Sequence, residues 1–238
     1  MRITELRSGD IVLSREGEGE TARQISLIVL GPSENNDSVV LLSEVALGQV
    51  QMANTWDENS YFRSNMDCYL ENSFTDYIPC SLRQALVAIQ VCVDTSTIGI
   101  VSRIYNRRRV FLPSMYELGF DNVFVEGISY INALRIMRQV RTDVLARYAI
   151  EQDFHNPCCY WTRSIAGDTG VYCVTKGGGS CVVAKDSRDT YIRPCFSVSV
   201  DAEVTLIPGL TEPSYELIGV ETRRRIIQED LFVRLMTL

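Results

Sequence analysis

One histidine, two lysines and no apolar run of 18 residues set the first limits on this chain of 238 residues. Without such a run no helix is expected to span a membrane. With His155 alone, a His-rich metal site and a two-histidine zinc motif are excluded. Any Cys–His or Ser–His arrangement would have to use His155 itself. The eight cysteines (Cys68, Cys80, Cys92, Cys158, Cys159, Cys173, Cys181, Cys195) contain no C-x-x-C pair, which argues against a zinc ribbon or a thioredoxin-type site. Their density is below that of a disulfide scaffold. They read as small buried hydrophobes, with pairing open only in an oxidising compartment. The opening residues Met1 to Arg7 lack the apolar core of a signal peptide, so export by one is not expected.

What is present is ordinary for a folded chain. Apolar residues make up 46% and charged residues 22%, with a net charge of −7, which excludes disorder as the overall class. The length allows one large domain or two small ones. A pI near 4.9 argues against broad electrostatic binding of nucleic acid. Lysine contributes only Lys176 and Lys185 to the 23 basic residues, and the rest are arginine. Arginine presents a planar fork of donors suited to carboxylates and carbonyls.

Patterning predicts an α+β chain. Ile11 to Leu13, Gln24 to Leu30 and Val39 to Ser43 read as strands, the last two joined by a hairpin loop at Ser33–Ser38. Met66, Tyr69, Leu70 and Phe74 suit a helix, and Ser81 is placed to cap a second short one over Leu82 to Ala85. Val87 to Val93 and Val110 to Ser114 read as strands. Ala133, Met137, Val140, Val144 and Tyr148 make the clearest helical face, over residues 129–149. Strand signals follow at Trp161 to Ser164, Gly170 to Val174, Cys181 to Ala184, Phe196 to Val200 and Val204 to Ile207. No repeat, low-complexity linker or domain boundary interrupts the chain.

The chemical motifs are few. Gly177-Gly178-Gly179-Ser180 lacks the Gly-Lys-Ser/Thr ending of a phosphate loop and lies between strands, so it reads as a hairpin turn. His155 with Cys158 and Cys159 is the only conceivable nucleophile region, but no orienting group or oxyanion site accompanies it. Asp57, Glu58, Asp67, Asp76, Asp168, Asp186 and Asp189 offer oxygen ligands without EF-hand spacing. No catalytic residue, metal ligand or cofactor is therefore expected. The segment Lys185 to Tyr191 mixes Asp186, Arg188, Asp189 and Tyr191 with short polar residues, the composition of a recognition loop. Tyr160 beside Trp161 could stack on a sugar, although a Trp between strand signals also suits a core.

Four stretches in order carry a resemblance: Asn65 to Phe74, Val110 to Gly119 with its Phe111-Leu112-Pro113-Ser114, Tyr160 to Ser164 with Trp161-Thr162-Arg163-Ser164, and Ile192 to Val198 with Arg193-Pro194. Together, over about residues 8 to 202, they resemble a widespread bacterial and phage domain family of unassigned function. That family is similar in fold to formylglycine-generating enzymes and so to the C-type lectin fold. Cys68 departs from the pattern, where a larger aromatic residue would stand. No cysteine pair matches the copper chemistry of the formylglycine-generating enzymes, so that activity is not carried over.

The resemblance implies a C-type-lectin-like domain over 1–202 and an extension over 203–238 that packs as a strand or arm on the domain or on a partner subunit. Trp161 and Phe111 would be core, and Arg163 and Arg193 would hold loop carbonyls or Glu117. The expected role is a non-enzymatic binding module on a phage or phage-like particle, made in the host cytoplasm. Its ligand, a host-surface glycan or protein, would be met by Tyr160, Asp168, Asp186, Arg188, Asp189 and Tyr191. The arm at 208–238 would meet neighbouring subunits, with self-association into an oligomer. A purely structural adaptor is the competing expectation, and an enzyme of unknown type the third. Neither nucleic acid nor membrane insertion is expected.

Overall fold

An apolar run bracketed by turn residues starts the architecture. In this computed structural model, β1 (Ile11–Glu16), β2 (Arg23–Pro32) and β3 (Ser38–Ser43) form an antiparallel meander. The structure describes residues 1–17, 22–33, 35–52, 61–97, 100–115, 117–118, 120, 158–166, 170–210 and 213–220. The clearest helical pattern, at 129–149, lies outside these residues, as do His155 and Asp168. All six residues of β3 are buried. It is covered on both faces, which is why Val39 to Leu42 is an unbroken apolar run rather than an alternation. At the β2–β3 turn, Asn36 adopts a left-handed φ of 55°, which Asn tolerates better than most residues.

The meander lies within a seven-stranded sheet, ordered β11-β12-β1-β2-β3-β10-β6. Its further strands are β6 (Val110–Phe111), β10 (Cys195–Ser199), β11 (Glu203–Leu206) and β12 (Ser214–Gly219). β12 runs parallel to β1, with Ile11 opposite Ser214; the other neighbours are antiparallel. β11 and β12 therefore extend the chain's own sheet beyond β1.

Two short helices cover this sheet. α1 (Asn65–Cys68) is capped by Ser64, whose Oγ accepts from the Asp67 N–H at 3.1 Å. It runs on through a π turn, Tyr69–Ser73, and a 3-10 turn, Phe74–Asp76. Met66, Leu70 and Phe74 are all buried. Their four-residue spacing would drift about 40° per step on a 3.6-residue helix; the wider π turn takes up that drift. α2 (Cys80–Ala85) corrects the expected cap. Pro79, not Ser81, is at its N-cap. The Cys80 N–H is taken by the Glu16 carboxylate of β1 at 3.0 Å, and Ser81 Oγ pairs with Ser14 Oγ at 2.8 Å.

β4 (Ile89–Thr97) and β5 (Ile100–Arg108) form a two-stranded antiparallel ribbon. Only its first strand is predicted from the sequence. β7 (Tyr160–Ala166), β8 (Gly170–Val174) and β9 (Ser180–Ala184) form a third, antiparallel sheet. The glycine run is the expected hairpin turn: Thr175 N–H donates to Gly179 O at 2.8 Å, and Gly178 takes the left-handed φ of 74° that the turn requires. Trp161, at 0% exposure, and Phe111 lie in the core, with Trp161 Nε1 donating to Val50 O at 2.8 Å.

Candidate functional site

The loop between β9 and β10 carries exposed charge between buried anchors. Lys185 and Thr190 are buried, whereas Asp186, Arg188 and Asp189 are exposed and Tyr191 is half-buried. A turn fixes the first half, with Ser187 N–H donating to Ala184 O at 3.0 Å. Gln51 Nε2 donates to Asp186 O at 2.7 Å. Tyr191 is sewn in by its backbone: its N–H donates to Cys159 O and its carbonyl accepts from Trp161 N, both at 2.9 Å, and it bridges Gln49. Ile192 N–H then donates to Gly48 O at 2.8 Å.

Behind this loop lies Arg193, wholly buried. Its Nε donates to Ser43 O at 2.9 Å and its Nη2 to Glu44 O at 3.3 Å. The guanidinium also lies 5.3 Å from the centroid of the Tyr160 ring. Tyr160 is a correction to the expected contact set. At 0% exposure its ring is a core surface, and burial pushes its phenol up to about 12. Of the six expected contact residues, the structure gathers Asp186, Arg188, Asp189 and Tyr191 on one loop, buries Tyr160 beneath it, and does not describe Asp168.

Three ion pairs also fasten the scaffold. Arg163 Nη1 donates to Glu117 Oε2 at 2.5 Å and to Leu112 O at 2.7 Å, Nε reaches Cys92 O at 3.0 Å, and Nη2 meets Glu117 Oε1. Burial opposes the Arg163 charge, and the Glu117 carboxylate more than restores it, leaving its pKa raised. Arg108 clasps the buried Asp67 through Nε at 2.7 Å and Nη2 at 2.6 Å, and Arg109 Nε meets Glu71 at 3.0 Å. These arginines bind neighbouring strands and loops together.

The thiols differ in burial. Burial pushes those of Cys173 and Cys195 well up, away from the thiolate that attacks or ligates. Cys158 is buried beside Tyr160, and Cys159 is half-buried. Among the described residues no group of three or more His, Cys, Asp or Glu is arranged to hold a metal ion. Asp67 is committed to Arg108, and Asp57 and Glu58 lie outside the described residues.

Sequence reasoning missed one feature. At the opposite end of β3 and β10 an open cavity of about 370 Å³ is lined by Asn35, Asp37, Ala88, Ile89, Gln90 and Arg107. Asp37 sits in a turn read only as a connection, and Arg107 in a strand that was not predicted, so no local signal joins them.

A family model, the domain of unknown function DUF6273, matches residues 36–200. The chain belongs to this family. No curated protein and no solved structure matches it. The DUF6273 segment divides the main sheet in one place. It contains β3, β10 and β6, while the adjacent block β11-β12-β1-β2 comes from the flanking residues. The Lys185–Tyr191 loop and both buried arginine clamps, Arg163 and Arg193, fall inside the DUF6273 segment.

Proposed function

We propose that this DUF6273 protein is a non-enzymatic recognition module. On this reading an α+β scaffold of C-type-lectin-like form presents the Lys185–Tyr191 loop to a host-surface glycan or protein. The setting on a phage or phage-like particle follows from the resemblance described above. The observation that carries the reading is the loop itself: three exposed charged side chains, Asp186, Arg188 and Asp189, held between buried Lys185 and Thr190 and fastened by Gln51. A loop already fixed loses little freedom on binding, so its contacts go into affinity. Two carboxylates and a guanidinium suit sugar hydroxyls or a charged peptide equally. The pairing of Arg163, Arg108 and Arg109 supports a scaffold role for those charges rather than a catalytic one. On this reading neighbouring subunits or second copies meet the arm at 208–238.

The test is binding of the purified protein to whole cells and isolated envelopes of its bacterial host. An Asp186→Ala/Arg188→Ala/Asp189→Ala variant with an unchanged melting temperature runs alongside. Saturable binding that the variant loses supports the reading. Absent binding, or equal binding by the variant, refutes it.

A further inference from the structure

Three cysteines that the proposed recognition role does not use meet on the β7–β9 sheet. Cys173 on β8 lies directly opposite Cys181 on β9, so the two side chains share one face. Directly opposed residues of an antiparallel pair have Cα atoms about 4.5–5.5 Å apart. That lies within the range of about 4.4–6.8 Å that a disulfide spans. Cys159, just before β7, is near enough to act electrostatically on both. All three are free thiols in this structure, Cys173 fully buried and Cys181 half-buried. The register that opposes them is set by the Thr175–Gly179 turn, which leaves no other partner for Cys173 across β9.

We propose that Cys173 and Cys181 are a dithiol that closes to a cross-strand disulfide when a hydroperoxide reaches Cys181. The half-buried Cys181 meets the oxidant first. Its thiolate sulfur attacks one peroxide oxygen, the S–O bond forms, the O–O bond breaks, and the departing oxygen takes a proton and leaves as water or alcohol. The Cys173 sulfur then attacks the Cys181 sulfenic sulfur. An S–S bond forms, the S–O bond breaks, and the hydroxide leaves as water with the Cys173 proton. Two thiols are oxidised and one peroxide is reduced. Burial raises the pKa of both thiols, so closure is slow compared with a low-pKa sensor cysteine. The bond staples β9, the strand from which the Lys185–Tyr191 loop springs.

The chain's own sequence makes the test direct. Lys176 separates the two cysteines, so trypsin after alkylation places Cys173 alone on peptide 164–176 and Cys181 alone on 177–185, with Cys158 and Cys159 together on 148–163. Folded protein treated with hydrogen peroxide should fall from eight titratable thiols to six when denatured, with 164–176 joined to 177–185. Reduction should restore eight. The crosslink should survive Cys159→Ser and vanish in Cys181→Ser, whose half-buried position tolerates a hydroxyl. Peptide 177–185 joined to 148–163, or all eight thiols remaining in treated wild type, overturns the proposal.

Discussion

Replacing Glu117 by alanine should cost this fold about 3–5 kcal/mol, the range for stripping one partner from a buried ion pair. The Arg163 side chain is 6% exposed and that of Glu117 16%. Removing the carboxylate leaves a guanidinium that still holds Leu112 O and Cys92 O but has no counter-charge. Arg163→Met should cost a similar amount, since it strands Glu117 and two carbonyls. The pair Glu117→Leu/Arg163→Met strands no charge. It should therefore lose about 2–3 kcal/mol less than the sum of the single losses, a coupling expected of groups in direct contact. Equilibrium urea unfolding followed by circular dichroism measures all three. If the alanine variant proves too unstable to purify, Glu117→Gln keeps an acceptor and should lose about 1–3 kcal/mol. A loss under about 1 kcal/mol for Glu117→Ala, or additivity within about 0.5 kcal/mol, would refute the argument that Arg163 is held charged by Glu117.

Alkaline pH should destabilise the protein steeply. Burial raises the pKa of Cys173, Cys195, Tyr61 and Tyr160, so above about pH 9 the unfolded chain sheds protons that the folded chain keeps, and stability falls with rising pH. For Tyr160 the window runs from about 10, its unfolded value, to about 12. Melting temperature from pH 7 to 11 checks this, and a flat profile would contradict it. Trp161→Ala should cost about 3–5 kcal/mol, read by thermal or urea unfolding. Ser197 Oγ is buried with no hydrogen-bond partner among the described residues, so Ser197→Ala should be neutral or stabilising by up to about 1 kcal/mol. Each of Asp186→Ala, Arg188→Ala and Asp189→Ala should change stability by no more than about 0.5 kcal/mol, as exposed positions do.

Where local chemistry decided the outcome, the chain could be read directly. β2 and β3 follow from apolar runs separated by the polar Asn35-Asn36-Asp37, although β2 runs on through the Gly31-Pro32 where the sequence suggests a stop, and β8 spans the expected Gly170–Val174. β5 was not legible because Arg103, Asn106, Arg107 and Arg108 fill its sequence, and it is half of a ribbon whose Ile104 to Arg107 stretch is exposed. α2 hid its start, since the group that satisfies its first N–H is Glu16, 64 residues away. The loop at Lys185–Tyr191 was legible from composition. The burial of Tyr160 was not, because it depends on Arg193 reaching over its ring. The opposition of Cys173 and Cys181 needed only the turn: once Thr175 pairs with Gly179, counting outward two residues on each side brings them face to face.

The pairing of the chain's early and late residues has a consequence for biosynthesis. Met1 and Ile3 find backbone partners at Val204 and Ala202, a separation of 203 residues for the first, and β1, paired with β2 on one side, finds its other neighbour in β12. During translation β1 and β2 leave the ribosome long before β12, and one edge of β1 stays open until residues near 214 have emerged. Contacts so distant in sequence slow folding, because a large loop must close before they form. A nascent chain stalled short of residue 214 should therefore expose the β1 edge to chaperones or to other nascent chains, and completion of the sheet should be a late event that follows assembly of the β3–β10 centre.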